Sequence, residues 1–174
     1  MPSFRNIKAL EKYLNEKLQK AMDEVGETAW KHMYDYVANE MNSRPENEEV
    51  YKRTWEYLNS IDKTTPEIKN GTVTVKIFYN TDKIDPYIYV NKPFNAHADF
   101  DMVDVSSAIP LWMDYGNYDR STGLPNKIHE HEPVGGIINL EDWVKKNFAT
   151  ELKRELVRLG IPINWHVFYV SFLL

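Results

Sequence analysis

The residues best suited to chemistry fall in two short clusters, His97-x-Asp99-x-Asp101 and His129-Glu130-His131-Glu132. Imidazole and carboxylate together suit a divalent transition metal, which can activate water. On a strand, an i, i+2 pair projects from one face, so His97 with Asp99, or His129 with His131, would share a metal. Both clusters sit in loop-like sequence, and no helical His-Glu-x-x-His arrangement fixes their geometry. A solvated polar loop accounts for each, so no metal ligand and no catalytic residue is assigned. A metal-dependent hydrolase or nuclease using His97, Asp99, Asp101, His129 and His131 is the alternative function.

Other chemistries have less to stand on. The chain holds no cysteine and no Gly-x-Ser-x-Gly elbow. Ser106-Ser107 has no evident partner. Neither a Gly-x-Gly-x-x-Gly fingerprint nor a P-loop is present, and Gly135-Gly136 alone reads as a flexible joint. His32 and His166 read as core-edge or surface histidines. Glu48-Glu49 reads as a solvated helix start, and Lys145-Lys146 and Lys153-Arg154 as the polar face of a helix. No cofactor is expected.

Within 174 residues, 43% are hydrophobic and 27% charged, which suits a folded domain able to bury a core without staples. One domain is expected over residues 1–174. The net charge of −5 leaves no basic patch of the kind a nucleic-acid-binding domain shows. A passage lined by acidic protein would still let DNA through without holding it. No apolar run approaches the roughly 20 residues that span a bilayer, and the N-terminal stretch has no secretory apolar segment. Eleven tyrosines and five tryptophans suit either an aromatic-rich core or protein interfaces.

The elements follow from spacing. Ile7, Leu10, Leu14, Leu18, Ala21, Val25, Ala29, Met33, Tyr36 or Val37, and Met41 recur at steps of three and four, which predicts one long helix capped by Ser3 or Asn6. At about 1.5 Å per residue it would run roughly 50 Å, beyond the roughly 30–35 Å diameter of a compact domain of this size. Either it breaks or packs closely at Gly26, or one end projects toward a neighbouring subunit. Ser43-Arg44-Pro45 ends it.

Val50, Thr54, Tyr57, Leu58 and Ile61 predict a short helix. Lys69-Asn70-Gly71 predicts a turn. The alternation of Val73, Val75, Ile77 and Tyr79 predicts a strand over Thr72–Tyr79, and Ile84–Val90 reads as a turn into a second short strand antiparallel to it. Asn91–Pro110 reads as a loop, and seven aspartates stand against two lysines between Asp82 and Asp119. Leu111–Tyr115 reads as a strand. Leu140, Trp143, Val144, Phe148, Leu152, Leu156 and Leu159 give the apolar face of a last helix, opened near Asn139 or Glu141 with acids in its first turn and closed by Gly160. Ile163–Leu174 reads as a strand that something should cover.

The run Tyr51-Lys52-Arg53-Thr54-x-x-x-Leu58-x-Ser60-Ile61, followed by a turn and an alternating strand, resembles the minor structural proteins of long-tailed bacteriophages that complete the tail top or the head–tail joint. The likeness continues through Leu111-Trp112-Met113-Asp114-Tyr115-Gly116 and the helix from Leu140 to Leu159. In that family the position after Arg-Thr is usually glycine, whereas here it is Trp55. The resemblance implies a virion protein without enzymatic activity, assembled in the host cytoplasm as a ring of six or twelve copies between capsid and tail tube. It implies contacts with neighbouring neck, portal-side or tail-tube proteins, with DNA passing through and no membrane involved.

The expected fold is α+β: a small mixed or antiparallel sheet, with a long N-terminal helix and a C-terminal helix packed mainly on one face. Residues 1–43 would form the long helix and a candidate interface arm, and residues 50–174 the α+β core. Candidate interface residues are Leu10, Leu14, Leu18, Trp30, Tyr34, Trp55, Phe100, Trp112, Tyr115 and Phe172. A closed ring needs heterologous contacts, with two different complementary patches on each copy. A soluble adaptor capping some other assembly is a third reading.

Overall fold

The computed structural model describes residues 6–43, 55–84, 109–116 and 133–161. Among these the architecture is α+β, as expected. Helix α1 spans Ile7–Asn42 and α2 spans Glu56–Asn59. Four short strands follow: β1 at Ile61–Lys63, β2 at Glu67–Lys69, β3 at Thr72–Thr74 and β4 at Ile77–Tyr79. A 3-10 turn at Thr81–Lys83, helix α3 at Ile109–Tyr115 and helix α4 at Gly136–Arg158 complete the order. The expected strand over Ile84–Val90 from residue 85 on, the loop Asn91–Pro110 up to residue 108, and the strand Ile163–Leu174 lie outside the described residues. So do both histidine–acid clusters.

Contacts divide the chain into two compact units. The first combines the chain up to His32 with Lys63–Ile77 and the chain from Ile138 onward. Its core is the α1 stripe packed on α4: Ala21 and Val25 bury against Leu152 and Leu156, with Leu18, Met22, Phe148, Leu159 and Ile161 around them. Helix α1 is unbroken over 36 residues. Gly26 serves as a close-packing site, since a Cβ built there would stand 2.8 Å from Cγ1 of Val75. Asn6 is the cap of α1, its Oδ1 accepting from the Ala9 N–H at 2.9 Å. Helix α4 ends in a Schellman arrangement, with Gly160 at φ 84° and the Ile161 N–H donating to the Leu156 carbonyl at 2.9 Å.

The β-segment is one hairpin in two pieces. Strand β2 pairs antiparallel with β3 in the register Glu67 to Thr74, Ile68 to Val73 and Lys69 to Thr72. Asn70 and Gly71 both take positive φ, 53° and 76°, which makes the two-residue turn that matches strand twist. The Thr64 N–H then donates to the Lys76 carbonyl at 2.9 Å. Thr65 and Pro66 therefore oppose the single residue Val75, a bulge placed where proline has no N–H to give. Beyond the bulge, β1 pairs with β4.

Three expectations are corrected. The strand Thr72–Tyr79 is interrupted at Val75-Lys76 by this bulge, and among the described residues it pairs with the segment before it. The short helix occupies only Glu56–Asn59 among the described residues, because Trp55 adopts the left-handed conformation and Ile61 already belongs to β1. Leu111–Tyr115 is helical, as part of α3.

The second unit combines Met33–Asp62 with Phe78–Ile137. Its buried residues include Met33, Val37, Met41, Tyr57, Leu58, Ile61, Ile84 and Val134, with the polar Ser60 and Asp114 among them.

Candidate functional site

Two features stand out, one buried and one exposed. The buried one is Asp114, 0% exposed at the end of α3. Its Oδ1 accepts from the Tyr57 hydroxyl at 3.0 Å and the Tyr79 hydroxyl at 2.9 Å. The two hydroxyls stand 2.5 Å apart, and their rings stack at 4.8 Å between centroids. Asp114 Oδ2 accepts from the Ile137 N–H at 3.0 Å. Burial, reinforced by the nearby Tyr57 and Asp114, pushes the Tyr79 hydroxyl far above the usual tyrosine range.

The reason for this arrangement lies in how α4 begins. Its first residue is Gly136, preceded by Gly135 at φ 72°. Neither carries a side chain that could satisfy the free N–H groups of the first turn. Asp114 supplies that acceptor from elsewhere in the chain, and its charge suits the positive end of the helix. The acids expected in the first turn of α4 are not there; Glu141 and Asp142 come a turn later. Gly136 has no room for more: a Cβ there would lie 2.6 Å from the Tyr79 hydroxyl and 3.0 Å from Asp114 Oδ1. A carboxylate beside two phenols has the parts for proton transfer. Sealed from solvent and committed to three donors, this one is a clamp that holds α2, β4, α3 and the start of α4. Sequence reading missed it. The available signal was a helix opening on two glycines with no local cap.

The exposed feature is the first part of α1. The apolar stripe is continuous in sequence, but its burial is not. Leu18 packs on the core, and Ala21, Val25, Ala29, Met33, Val37 and Met41 are buried. Upstream, Ile7 is 78% exposed, Leu10 37% and Leu14 41%. At a rise of about 1.5 Å per residue, this carries an apolar face roughly 16 Å beyond Leu18, where packing begins. Lys8, Lys12, Lys17 and Lys20 flank it, against Glu11 and Glu16. Lys12 reaches Glu16 at 4.0 Å with both side chains largely exposed, and Lys17 lies over the Tyr13 ring at 5.4 Å.

The candidate interface residues thus separate. Leu10 and Leu14 are exposed on the arm, and Tyr115 is exposed at the end of α3. Leu18 is half-buried and packs against the α1–α4 cluster. Trp30, Tyr34 and Trp55 are half-buried and engaged in contacts of their own. Phe100, Phe172 and the Trp112 side chain lie outside the described residues. His32 stacks on Trp143 at 5.5 Å, and its Nε2 stands 2.7 Å from Asn139 Oδ1, a core-edge histidine as expected.

Charged contacts inside the first unit are structural. Lys63 Nζ bridges Asp23 at 2.7 Å and Glu27 at 3.4 Å. Burial disfavours the charged lysine, but the hydrogen bond and charge of Asp23, helped by Glu27, hold its pKa above the usual value. Glu155, buried on α4, accepts from Arg158 Nε at 2.6 Å. That bond, aided by the charge of Arg158 and by Arg154, holds its carboxyl below the usual range despite burial. Arg158 also reaches Glu24 of α1 at 3.4 Å.

Among the described residues no group of three or more histidines, cysteines or acids is placed to hold a metal ion. No helix among them is long and apolar enough to cross a membrane. No family model, no curated protein and no solved structure matches the chain.

Proposed function

We propose that the chain is a structural protein of the neck of a long-tailed bacteriophage, a tail-completion or head–tail connector component that works by association rather than by catalysis. The observation that carries this reading is the exposed arm of α1, where Ile7, Leu10 and Leu14 extend the core stripe into solvent. A monomer gains nothing from an apolar face held out on a helix; a subunit that buries it against a neighbour does.

Trp55 adds support. It takes φ 64°, a conformation that glycine adopts readily and that a bulky residue adopts only at a cost. The phage family resembled by the Arg53-Thr54 run usually carries glycine at this position. A backbone that asks for glycine is what a tryptophan replacing that glycine would inherit.

Each copy would bury its arm on an identical neighbour, and six or twelve copies would close a ring around the DNA passage. Negative-stain electron microscopy of the purified protein, with mass by light scattering, tests this. Closed rings with a mass near a sixfold or twelvefold multiple of 20.5 kDa are expected. A monomer that gains thermal stability with a divalent metal, loses it with a chelator and cleaves phosphodiesters would replace this reading with a hydrolase.

A further inference from the structure

We infer that the arm of α1 docks head to tail, on the acidic body of a second copy rather than on that copy's own arm. The inference rests on the reading above only in taking the chain as one that self-associates, and it deepens that reading by naming the partner surface.

Three observations carry it. The arm is apolar on one face and exposed there, through Ile7, Leu10 and Leu14. It is also basic. From Asn6 to Lys20 four lysines stand against two glutamates, a net charge of +2, so the rest of this −5 chain carries −7. Two basic arms laid together would repel, while an arm on the remainder of another copy meets opposite charge.

The third observation is where these charges lie along the helix. No acid occupies the first turn of α1 and no base its last. A helix stabilising its own dipole would place acids first and bases last. The basic end of α1 is thus arranged against its intramolecular interest. The acids further along α1 are partly committed inside the unit, Asp23 and Glu27 to Lys63 and Glu24 to Arg158, whereas among the described residues the arm lysines have only local contacts.

An apolar arm on the oppositely charged remainder of another copy is a heterologous contact, which closes rings or extends chains instead of stopping at a dimer. It also excludes simple coiled-coil pairing of arms, which would leave each copy satisfied after one contact.

The test uses the full chain as wild type and as two double variants. Sedimentation velocity of the wild type should show association that weakens at least tenfold between 50 and 500 mM salt. Lys8→Glu with Lys12→Glu should weaken it by at least as much at low salt. The arm-dead variant Leu10→Ser/Leu14→Ser should be monomeric alone. Mixed with fluorescently labelled wild type, it should still enter assemblies and shorten them, because its body can accept a wild-type arm. All variants change exposed positions, so an unchanged circular dichroism melt shows that each is folded.

Three results overturn the inference. An association that is insensitive to salt, or an arm-dead variant that never enters wild-type assemblies, points to arm-on-arm pairing. A wild type that stays monomeric but sediments with vesicles of phosphatidylserine, in a manner lost with Leu10→Ser/Leu14→Ser, makes the arm a membrane-surface helix. If head-to-tail assembly occurs but yields only open filaments with no closed ring, the docking mode stands and the neck reading fails.

Discussion

A Cβ built on Gly26 would stand 2.8 Å from Cγ1 of Val75. This contact explains why a glycine in the middle of a 36-residue helix does not break it. Glycine costs roughly 1 kcal/mol of helix propensity relative to alanine, and here that cost is offset by letting the β-bulge lie directly on α1. Helix α1 continues unbroken past this contact.

Gly26→Ala should be destabilising by about 1–2 kcal/mol despite the better helix former, because the new methyl overlaps Val75. In Val75→Ala the overlap disappears. The double variant should be less destabilised than the two single changes summed, by roughly 0.5 kcal/mol or more in urea denaturation. Simple additivity would mean that the close approach has no energetic consequence.

Asp114 is predicted to be the most sensitive polar residue of the second unit. Asp114→Ala leaves the Tyr57 and Tyr79 hydroxyls and the Ile137 N–H without their buried acceptor, which should cost roughly 3 kcal/mol or more. Tyr57→Phe and Tyr79→Phe should each cost about 1–2 kcal/mol and couple in a double-mutant cycle by at least 0.5 kcal/mol. Hydrogen exchange at Ile137 should rise sharply in Asp114→Ala and much less in either tyrosine variant.

Trp55 offers a test of backbone conformation alone. At φ 64° glycine should be preferred over alanine by about 1 kcal/mol. Trp55→Gly and Trp55→Ala lose the same indole contacts, so their difference in chemical denaturation isolates the backbone. Alanine matching or exceeding glycine would mean that the left-handed conformation is not held in solution.

Stability should depend on pH at both ends. Glu155 has a folded pKa below its unfolded value, so its contribution is fully present above the ordinary 4.5 and is lost as pH falls through the lowered value. Glu155→Gln should therefore flatten the acid limb of the melting-temperature profile below about pH 4.5. Lys63 has a raised folded pKa, so its contribution is complete below the ordinary 10.5 and is lost as pH rises through the raised value. Lys63→Met should lower stability at neutral pH and make the profile less steep above pH 10.5.

Much of this fold was legible in the residues. The stripe from Ala21 to Met41 is buried at each position the spacing selected, the Asn70-Gly71 turn formed, and Gly160 closed α4. These features are local, decided by periodicity and by residues with few conformational options. What escaped was set at a distance. Leu111–Tyr115 is too short for periodicity to separate helix from strand. The Asp114 clamp joins residues from four separate elements. The pairing of the Thr72–Tyr79 strand with the segment before it depends on a bulge at Thr65-Pro66, which spacing alone does not show. The exposed arm was half legible: its residues were named, but only packing shows that burial begins at Leu18.

The most direct test of the central claim, association through the α1 arm, is sedimentation velocity of the wild type beside Leu10→Ser/Leu14→Ser over a range of concentrations. The wild type should run as a multiple of 20.5 kDa, and the double variant as a folded 20.5 kDa monomer with an unchanged melting temperature. Identical sedimentation of the two proteins at every concentration would contradict the claim.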